Sequence, residues 1–185
     1  MRCFVMTVFA ACAALSVAGQ TLAQAPTPGA PTPAPAAPAS VPDQMPFDVP
    51  YGPPITADRA AQAVAAATAE AKKSPRNWKL AIAVVDPNGD LVYFYKMDQT
   101  QVASIAIAQG KARTAARFRR PSGAFFNLMQ NPAGAYAATL DPTLVASHGG
   151  FPLVEGGKII GAIGCSGATG DQDGVACKAG ADTIK

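Results

Sequence analysis

The sequence contains a single histidine, His148, and this scarcity restricts the chemistry available to it. A Ser-His-Asp arrangement would have to use this residue, and no G-x-S-x-G nucleophile elbow occurs. The nearest stretch, Cys165-Ser166-Gly167, does not have the required pattern. One histidine and two separated cysteines, Cys165 and Cys177, also fall short of a standard zinc ligand set. The sequence therefore points away from a hydrolase and from a zinc centre.

The first 25 residues have the pattern of an export signal. Arg2 precedes an uncharged, mostly apolar run over residues 3–18, and Ala23-Gln24-Ala25 provides the small-x-small site at which signal peptidase cuts. The apolar run is shorter than the roughly 20 residues that a membrane-spanning helix needs. We predict a signal peptide over residues 1–25 and a periplasmic or secreted protein. The alternative is a lipoprotein acylated at Cys12.

Proline is concentrated in the next segment. Residues 26–54 hold 11 of the 17 prolines of the chain, mixed with alanine and threonine. Such a composition buries too little apolar surface to offset the entropy of ordering, and proline keeps the chain extended. We predict a disordered Pro/Ala-rich linker over residues 26–54. The remaining ~130 residues, 55–185, suffice for one domain with one core.

Charged residues are few, at 15% of the chain, and the formal net charge is +3. Loss of Arg2 with the signal leaves 14 of the 15 basic residues against 12 acidic ones, a net charge of +2. This balance provides no strong electrostatic surface for nucleic acid, and no amphipathic membrane helix is apparent. We therefore expect neither a nucleic-acid partner nor a membrane span.

The domain keeps two of the four cysteines, Cys165 and Cys177. Two cysteines in an exported chain favour a disulfide. A closed loop of about a dozen residues would stabilise the fold by roughly 3 kcal/mol. The alternative is two buried free thiols, because cysteine also behaves as a small apolar residue.

Apolar periodicity predicts an antiparallel sheet with helices on both faces. Helices are expected from about residue 57 to 73 with Thr56 as N-cap, from Ser104 as N-cap to before Pro121, and over a short stretch around residues 124–129. Residues 80–85 and 91–97 form one predicted hairpin, and residues up to 155 and from 158 to 165 form another. A final helix is expected to begin at a capping box made by Thr169 and Gln172.

Several motifs together resemble one family. GGFPL (149–153), GKIIGAIG (157–164) and the SG and QD that follow are similar to the C-terminal signature of the GlcG/HbpS family. LAIAVVDPNGDLVYFYKMDQT (80–100), SIAIAQGKARTAARF (104–118) and ITADRAAQAV (55–64) extend the resemblance over nearly all of residues 55–185. It implies a profilin-like, three-layer α/β/α domain with an antiparallel sheet of about five strands. It also implies homo-oligomers and haem as a ligand.

The implied haem directs attention to iron ligands. His148, directly before Gly149-Gly150, is the candidate axial ligand, because histidine is a common ligand of haem iron. Tyr93, Tyr95 and Met97 are further candidates, since tyrosinate and thioether also bind haem iron. Each of these residues has a simpler interpretation as a packed or surface side chain.

Basic residues cluster in the central helix. Lys111, Arg113 and Arg117 lie within seven positions, and Arg113 and Arg117 share a helix face. Such a cluster suits haem propionates or another carboxylate ligand. The alternative is a solvated helix C-terminus that is favoured by the helix dipole.

Three functional hypotheses follow. The first is an exported, non-catalytic haem- or tetrapyrrole-binding protein for scavenging or sensing. The second is a small-molecule enzyme or carboxylate-binding accessory of organic-acid catabolism, in which backbone amides around Ser166–Thr169 hold an anion without haem. The third is an oligomeric interaction module.

Overall fold

The protein is described here from a computed structural model, which describes residues 47–75 and 77–185. The predicted signal peptide and residues 26–46 of the predicted linker lie outside the described residues. Over the described ranges, no helix combines the length and the apolar character that crossing a membrane requires.

The described residues fold into three layers, with helices packed on both faces of one sheet. Its elements are α1 (Ala57–Lys73), β1 (Ala81–Val85), β2 (Leu91–Lys96), α2 (Ser104–Arg117), α3 (Gly123–Met129), a 3-10 helix (Pro132–Thr139), β3 (Gly150–Glu155), β4 (Lys158–Ser166) and α4 (Gly170–Ala181).

The sheet is antiparallel throughout, with strand order β2-β1-β4-β3. The predicted three-layer α/β/α architecture is confirmed, but the described sheet has four strands rather than about five. The long connection between α2 and β3 forms α3 and the 3-10 helix instead of a further strand.

The centre of the sheet is covered on both faces. In β1, Ile82 and Val84 point into the larger core, where they meet alanines of α1 and the cysteines of β4 and α4. Ala81, Ala83 and Val85 point to the other side and meet the alanine face of α2. Small side chains on both partners let α2 lie close to the sheet, which explains why this helix is rich in alanine.

A glycine sets the distance between α2 and the sheet. A Cβ atom at Gly164 in β4 would lie 2.1 Å from the carbonyl oxygen of Ala108 and 2.5 Å from the nitrogen of Ala112. Both atoms belong to the α2 backbone, so no side-chain rotation could relieve the overlap. Residue 164 is therefore restricted to glycine by close packing.

We expect Gly164→Ala to lower the free energy of unfolding by about 1–3 kcal/mol or more, because the whole of α2 must move away from β4. Urea unfolding measures this loss. Gly174→Ala in α4 is the matched control, since the nearest atom to a Cβ there is 3.9 Å away. That control should keep or slightly raise stability. Equal stability of Gly164→Ala and the parent would contradict the close contact.

The predicted caps and turns are mostly confirmed. The Thr56 side chain accepts from Arg59 N, and Thr169 and Gln172 form the reciprocal capping box of α4. Gly156 and Gly157 both have positive φ, of 53° and 75°, as the β3–β4 turn requires. The prediction for Ser104 is wrong. This residue is buried as the first residue of α2 and its hydroxyl accepts from Ser166 Oγ at 3.2 Å, so it does not cap the helix.

The predicted disulfide between Cys165 and Cys177 is confirmed. It joins the end of β4 to α4, with the Cα atoms 5.6 Å apart. Both cysteines are fully buried in the larger core. The cross-link therefore fixes α4 to the sheet beside the loop that carries His148.

The segment before α1 packs against the sheet. Tyr51 forms an isolated parallel bridge with Ile159 at the start of β4, and Gly52 N donates to the Ile159 carbonyl at 2.8 Å. The Tyr51 hydroxyl donates to the carbonyl of Ala116 at 2.9 Å. Tyr51 and Gly52, which fall within the predicted linker, therefore contact the domain.

Candidate functional site

His148 lies in the loop that leads into β3 and contacts the first turns of both α3 and α4. Its Nδ1 is 2.8 Å from Oδ1 of Asp171, which belongs to the first turn of α4. The histidine side chain is 34% exposed. Among the described residues, Nε2 makes no hydrogen bond. The ring is thus held through Nδ1 and is about one-third exposed to solvent.

The imidazole also packs against α3. Its ring centre lies 5.0 Å from that of Phe126 in an edge-to-face arrangement. A Cβ at Gly123 would lie 2.4 Å from His148 Cδ2 and 3.1 Å from Nε2, so the ring rests against the first turn of α3. Phe126 itself is exposed, and its ring gives the histidine an apolar neighbour at the surface.

Lys111 does not belong to this surface. Its side chain is buried, and Nζ lies 2.7 Å from Asp173 Oδ2 and 3.0 Å from the carbonyl oxygen of Cys165. The Asp173 carboxylate also accepts from Ala168 N at 2.9 Å. Burial raises the pKa of Asp173, while Lys111 and the nearby N–H groups act in the opposite direction. Lys111 is therefore a buried partner of Asp173. Its ammonium group does not lie at the surface, where it was expected to meet a carboxylate ligand.

Arg113 and Arg117 hold the turn between β1 and β2. Arg113 Nε donates to the Gly89 carbonyl at 3.1 Å, and Arg117 Nε donates to that of Asn88 at 3.0 Å. Arg117 also pairs with Asp141 at 3.0 Å. The guanidinium groups therefore have structural partners, and no contact joins them to His148.

Tyr93 and Tyr95 lie together on the edge strand β2 and face α1. Both are partly exposed and line a groove. Met97 is placed differently. It is 5% exposed, packs in the larger core, and its sulfur accepts from Leu80 N at 3.5 Å. The sulfur of Met97 is thus enclosed and does not reach an iron at the surface.

The amides that were expected to bind an anion are already occupied. Ala168 N donates to Asp173, and Thr169 N donates to the side chain of Gln172 at 3.1 Å. These two amides of the glycine-rich turn are therefore not free to bind an anion, which weakens the hypothesis of an anion-binding nest. Among the described residues, no cluster of three or more His, Cys, Asp or Glu side chains is arranged to hold a metal ion.

The comparison with protein families decides the relationship. The model of the family described as haem degrading protein HbpS-like matches residues 55–182. The chain belongs to the HbpS-like family.

Relatives and solved structures agree with this assignment. The chain is similar to GlcG of Escherichia coli K12, with 39% identity over 112 residues, which is 60% of this chain and 81% of GlcG. It is also similar to a crystallised double mutant of HbpS from Streptomyces reticuli, with a TM-score of 0.66, 26% identity, and coverage of 80% of this chain and 99% of that chain. A crystal structure of a PduOC–haem complex has a TM-score of 0.64 and 22% identity over 71% of this chain and 96% of that one, which shows a shared fold.

The residues around His148 in this HbpS-like domain are largely absent from the sequence-based candidates. Asp171 was recognisable only as a first-turn acid that suits the helix dipole. No sequence pattern pointed to Gly123 or Phe126, because their proximity to His148 depends on how the irregular region after α2 folds back.

Proposed function

We propose that this HbpS-like protein is an exported, non-catalytic haem-binding protein and that His148 holds the iron through Nε2. The family description refers to haem, which supports this class of ligand. The predicted signal peptide over residues 1–25 supports export to the periplasm or the medium. We further propose that the protein works as a homo-oligomer.

The observation that carries the assignment of His148 is its contact with Asp171. A histidine that binds a metal generally donates its other ring N–H to a carboxylate or a carbonyl, which fixes the ring orientation and raises the basicity of the ligating nitrogen. The 2.8 Å contact between Nδ1 and Asp171 Oδ1 has this arrangement. Nε2 is then the nitrogen that remains for iron.

The surroundings of His148 also fit a haem. The exposed ring of Phe126 beside the imidazole can pack against an apolar macrocycle. Gly123 keeps the ring against α3 without a side chain in the way. When bound, haem would supply an iron centre that accepts an imidazole nitrogen as a ligand. The protein orients that imidazole and provides an apolar contact.

A haem titration of the purified protein tests the proposal. We expect a saturable Soret band at about one haem per chain, and its loss or shift in His148→Ala. Asp171→Asn should weaken haem affinity about 10–100-fold, because it removes the carboxylate that orients the ligand. Asp182→Asn, at an exposed carboxylate near the other end of α4, is the matched control and should leave affinity unchanged.

Two outcomes would overturn this assignment. An unchanged spectrum in His148→Ala would show that another side chain binds iron, and loss of the band in Tyr93→Phe would identify that side chain. The absence of saturable binding would reject haem as the ligand.

The same complex tests the proposed lack of catalysis. With ascorbate and air present, we expect the Soret band of bound haem to persist. Progressive loss of the band with protein-bound haem, faster than the loss seen with free haem under the same conditions, would contradict a purely binding role. It would favour the degradation named in the family description.

A further inference from the structure

A second concave surface lies on the opposite side of the sheet from α2. It is a groove of 370 Å³ between the outer face of α1 and the edge strand β2, lined by Ala61, Val64, Ala65, Thr68, Ala69, Lys72, Tyr93 and Tyr95. Its volume falls within the range of small-molecule sites. We call this surface the α1–β2 groove. None of the contacts made by His148 involves it.

The α1–β2 groove is lined mainly by apolar and aromatic side chains. Ala61, Ala65 and Ala69 recur every four residues, so their methyl groups form one stripe along α1. Tyr93 and Tyr95 stand opposite, 36% and 41% exposed. Small side chains on one wall and two aromatic rings on the other suit a planar ligand, because aromatic rings pack well against flat apolar or aromatic faces.

One end of the α1–β2 groove carries a positive charge. Lys72 lies in the last turn of α1, and no carboxylate among the described residues pairs with it. The neighbouring Lys73, by contrast, pairs with Glu70 at 2.6 Å. An anionic group in the groove would therefore meet an uncompensated ammonium.

Thr68 provides an independent indication of a ligand. Its hydroxyl oxygen is the one buried side-chain polar atom in the described ranges that has no hydrogen-bond partner. Burying a hydroxyl without a partner is costly, so such groups are normally satisfied. Thr68 lines the groove one helical turn before Lys72, so the two side chains lie on the same face of α1. Because this oxygen is closed to solvent, the Thr68 side chain must change rotamer before its hydroxyl can meet a carboxylate bound at Lys72.

We propose that the α1–β2 groove binds a small planar carboxylic acid, separate from the proposed haem site. Its ring packs between the alanine stripe and the two tyrosines. Its carboxylate pairs with Lys72 and, once the Thr68 side chain rotates, accepts a hydrogen bond from the Thr68 hydroxyl. The chemistry is that of an aromatic or conjugated acid with one anionic end.

Titration calorimetry with 1-naphthoate tests the proposal on the purified protein, with 1-naphthalenemethanol as the neutral probe. We expect saturable binding of the acid, and at least tenfold weaker binding in Lys72→Met. The neutral probe should bind more weakly than the acid and be unaffected by Lys72→Met. Lys73→Met is the matched control, because it removes the same charge one residue away and outside the groove. It should leave binding of the acid unchanged.

Two further variants locate the ligand. Ala65→Trp fills the base of the α1–β2 groove from an exposed helix position and should abolish binding of both probes, with circular dichroism checking that the fold is kept. Thr68→Val should weaken binding of the acid and leave binding of the neutral probe unchanged.

Several results would overturn the proposal. They are no saturable binding of 1-naphthoate at millimolar concentration, equal effects of Lys72→Met and Lys73→Met, or binding that survives Ala65→Trp. A change of oligomer size in Ala65→Trp would show that a second copy of the chain occupies the groove. Loss of the Soret band in that variant would identify the groove as the haem site.

Discussion

Replacing Lys111 with methionine is expected to lower the free energy of unfolding by about 3–5 kcal/mol, because it leaves the Asp173 carboxylate buried without its cation. The two side chains are 2% and 3% exposed and only 2.7 Å apart. Methionine keeps most of the volume of lysine, so the loss reports the charge rather than a cavity. Chemical unfolding followed by circular dichroism measures it.

A double variant separates the charge from the shape of the site. Asparagine at position 173 still accepts from Ala168 N while carrying no charge. We therefore expect Lys111→Met/Asp173→Asn to recover most of the stability lost in Lys111→Met, since neutral replacements of a buried ion pair are often tolerated. If the double variant is as unstable as the single one, the loss of stability comes from packing and not from the unpaired charge.

The stability of Lys111→Met should also depend on pH in a defined direction. Burial raises the pKa of Asp173, and loss of Lys111 removes an effect that opposes this shift. The folded variant then binds a proton at higher pH than the unfolded chain does. Its stability should increase as the pH falls through the folded pKa and decrease as the pH rises through it. Unfolding curves across an acid-to-neutral series would test this, and an opposite trend would contradict it.

The second large effect concerns the disulfide between Cys165 and Cys177. We expect its removal in Cys165→Ala/Cys177→Ala to lower the free energy of unfolding by about 3 kcal/mol, because the unfolded chain loses a constraint across 12 positions. The oxidised parent and the same protein, unfolded and refolded under reducing conditions, provide the comparison.

Reduction needs prior unfolding in that experiment, because both cysteines are fully buried. The reduced parent should lie close to the double alanine variant in stability, apart from the small packing loss of the two sulfur atoms. If the oxidised and reduced proteins unfold at the same denaturant concentration, the cross-link does not stabilise the fold. In that case α4 is held by packing alone.

Local patterns determined much of the fold. The buried alanine face of α1, the two glycines of the β3–β4 turn and the Thr169–Gln172 capping box all have short-range physical causes, and the structure contains them. The prediction for Ser104 was wrong, because a buried contact with Ser166 replaced the cap that its position suggested.

Local sequence patterns predicted fewer of the residues of the candidate site. His148 stood out because it is the only histidine, but Asp171 and Gly123 are 23 and 25 residues away from it along the chain. Lys111 was grouped with the arginines that follow it, although its side chain is buried in a pair with Asp173. These basic residues are neighbours in the sequence, but they project from different faces of α2 and so lie in different environments.

The sequence by itself determined most of the elements, their order and the family, and it favoured a disulfide between the two cysteines, because these depend on local periodicity, turn residues and composition. The tertiary structure alone decided which polar groups meet. The sheet brings α2 and α4 close enough for Lys111 to reach Asp173, and it brings α3 and α4 to the same histidine. Long-range electrostatic and packing contacts depend on how the layers stack, and no short stretch of sequence specifies that stacking.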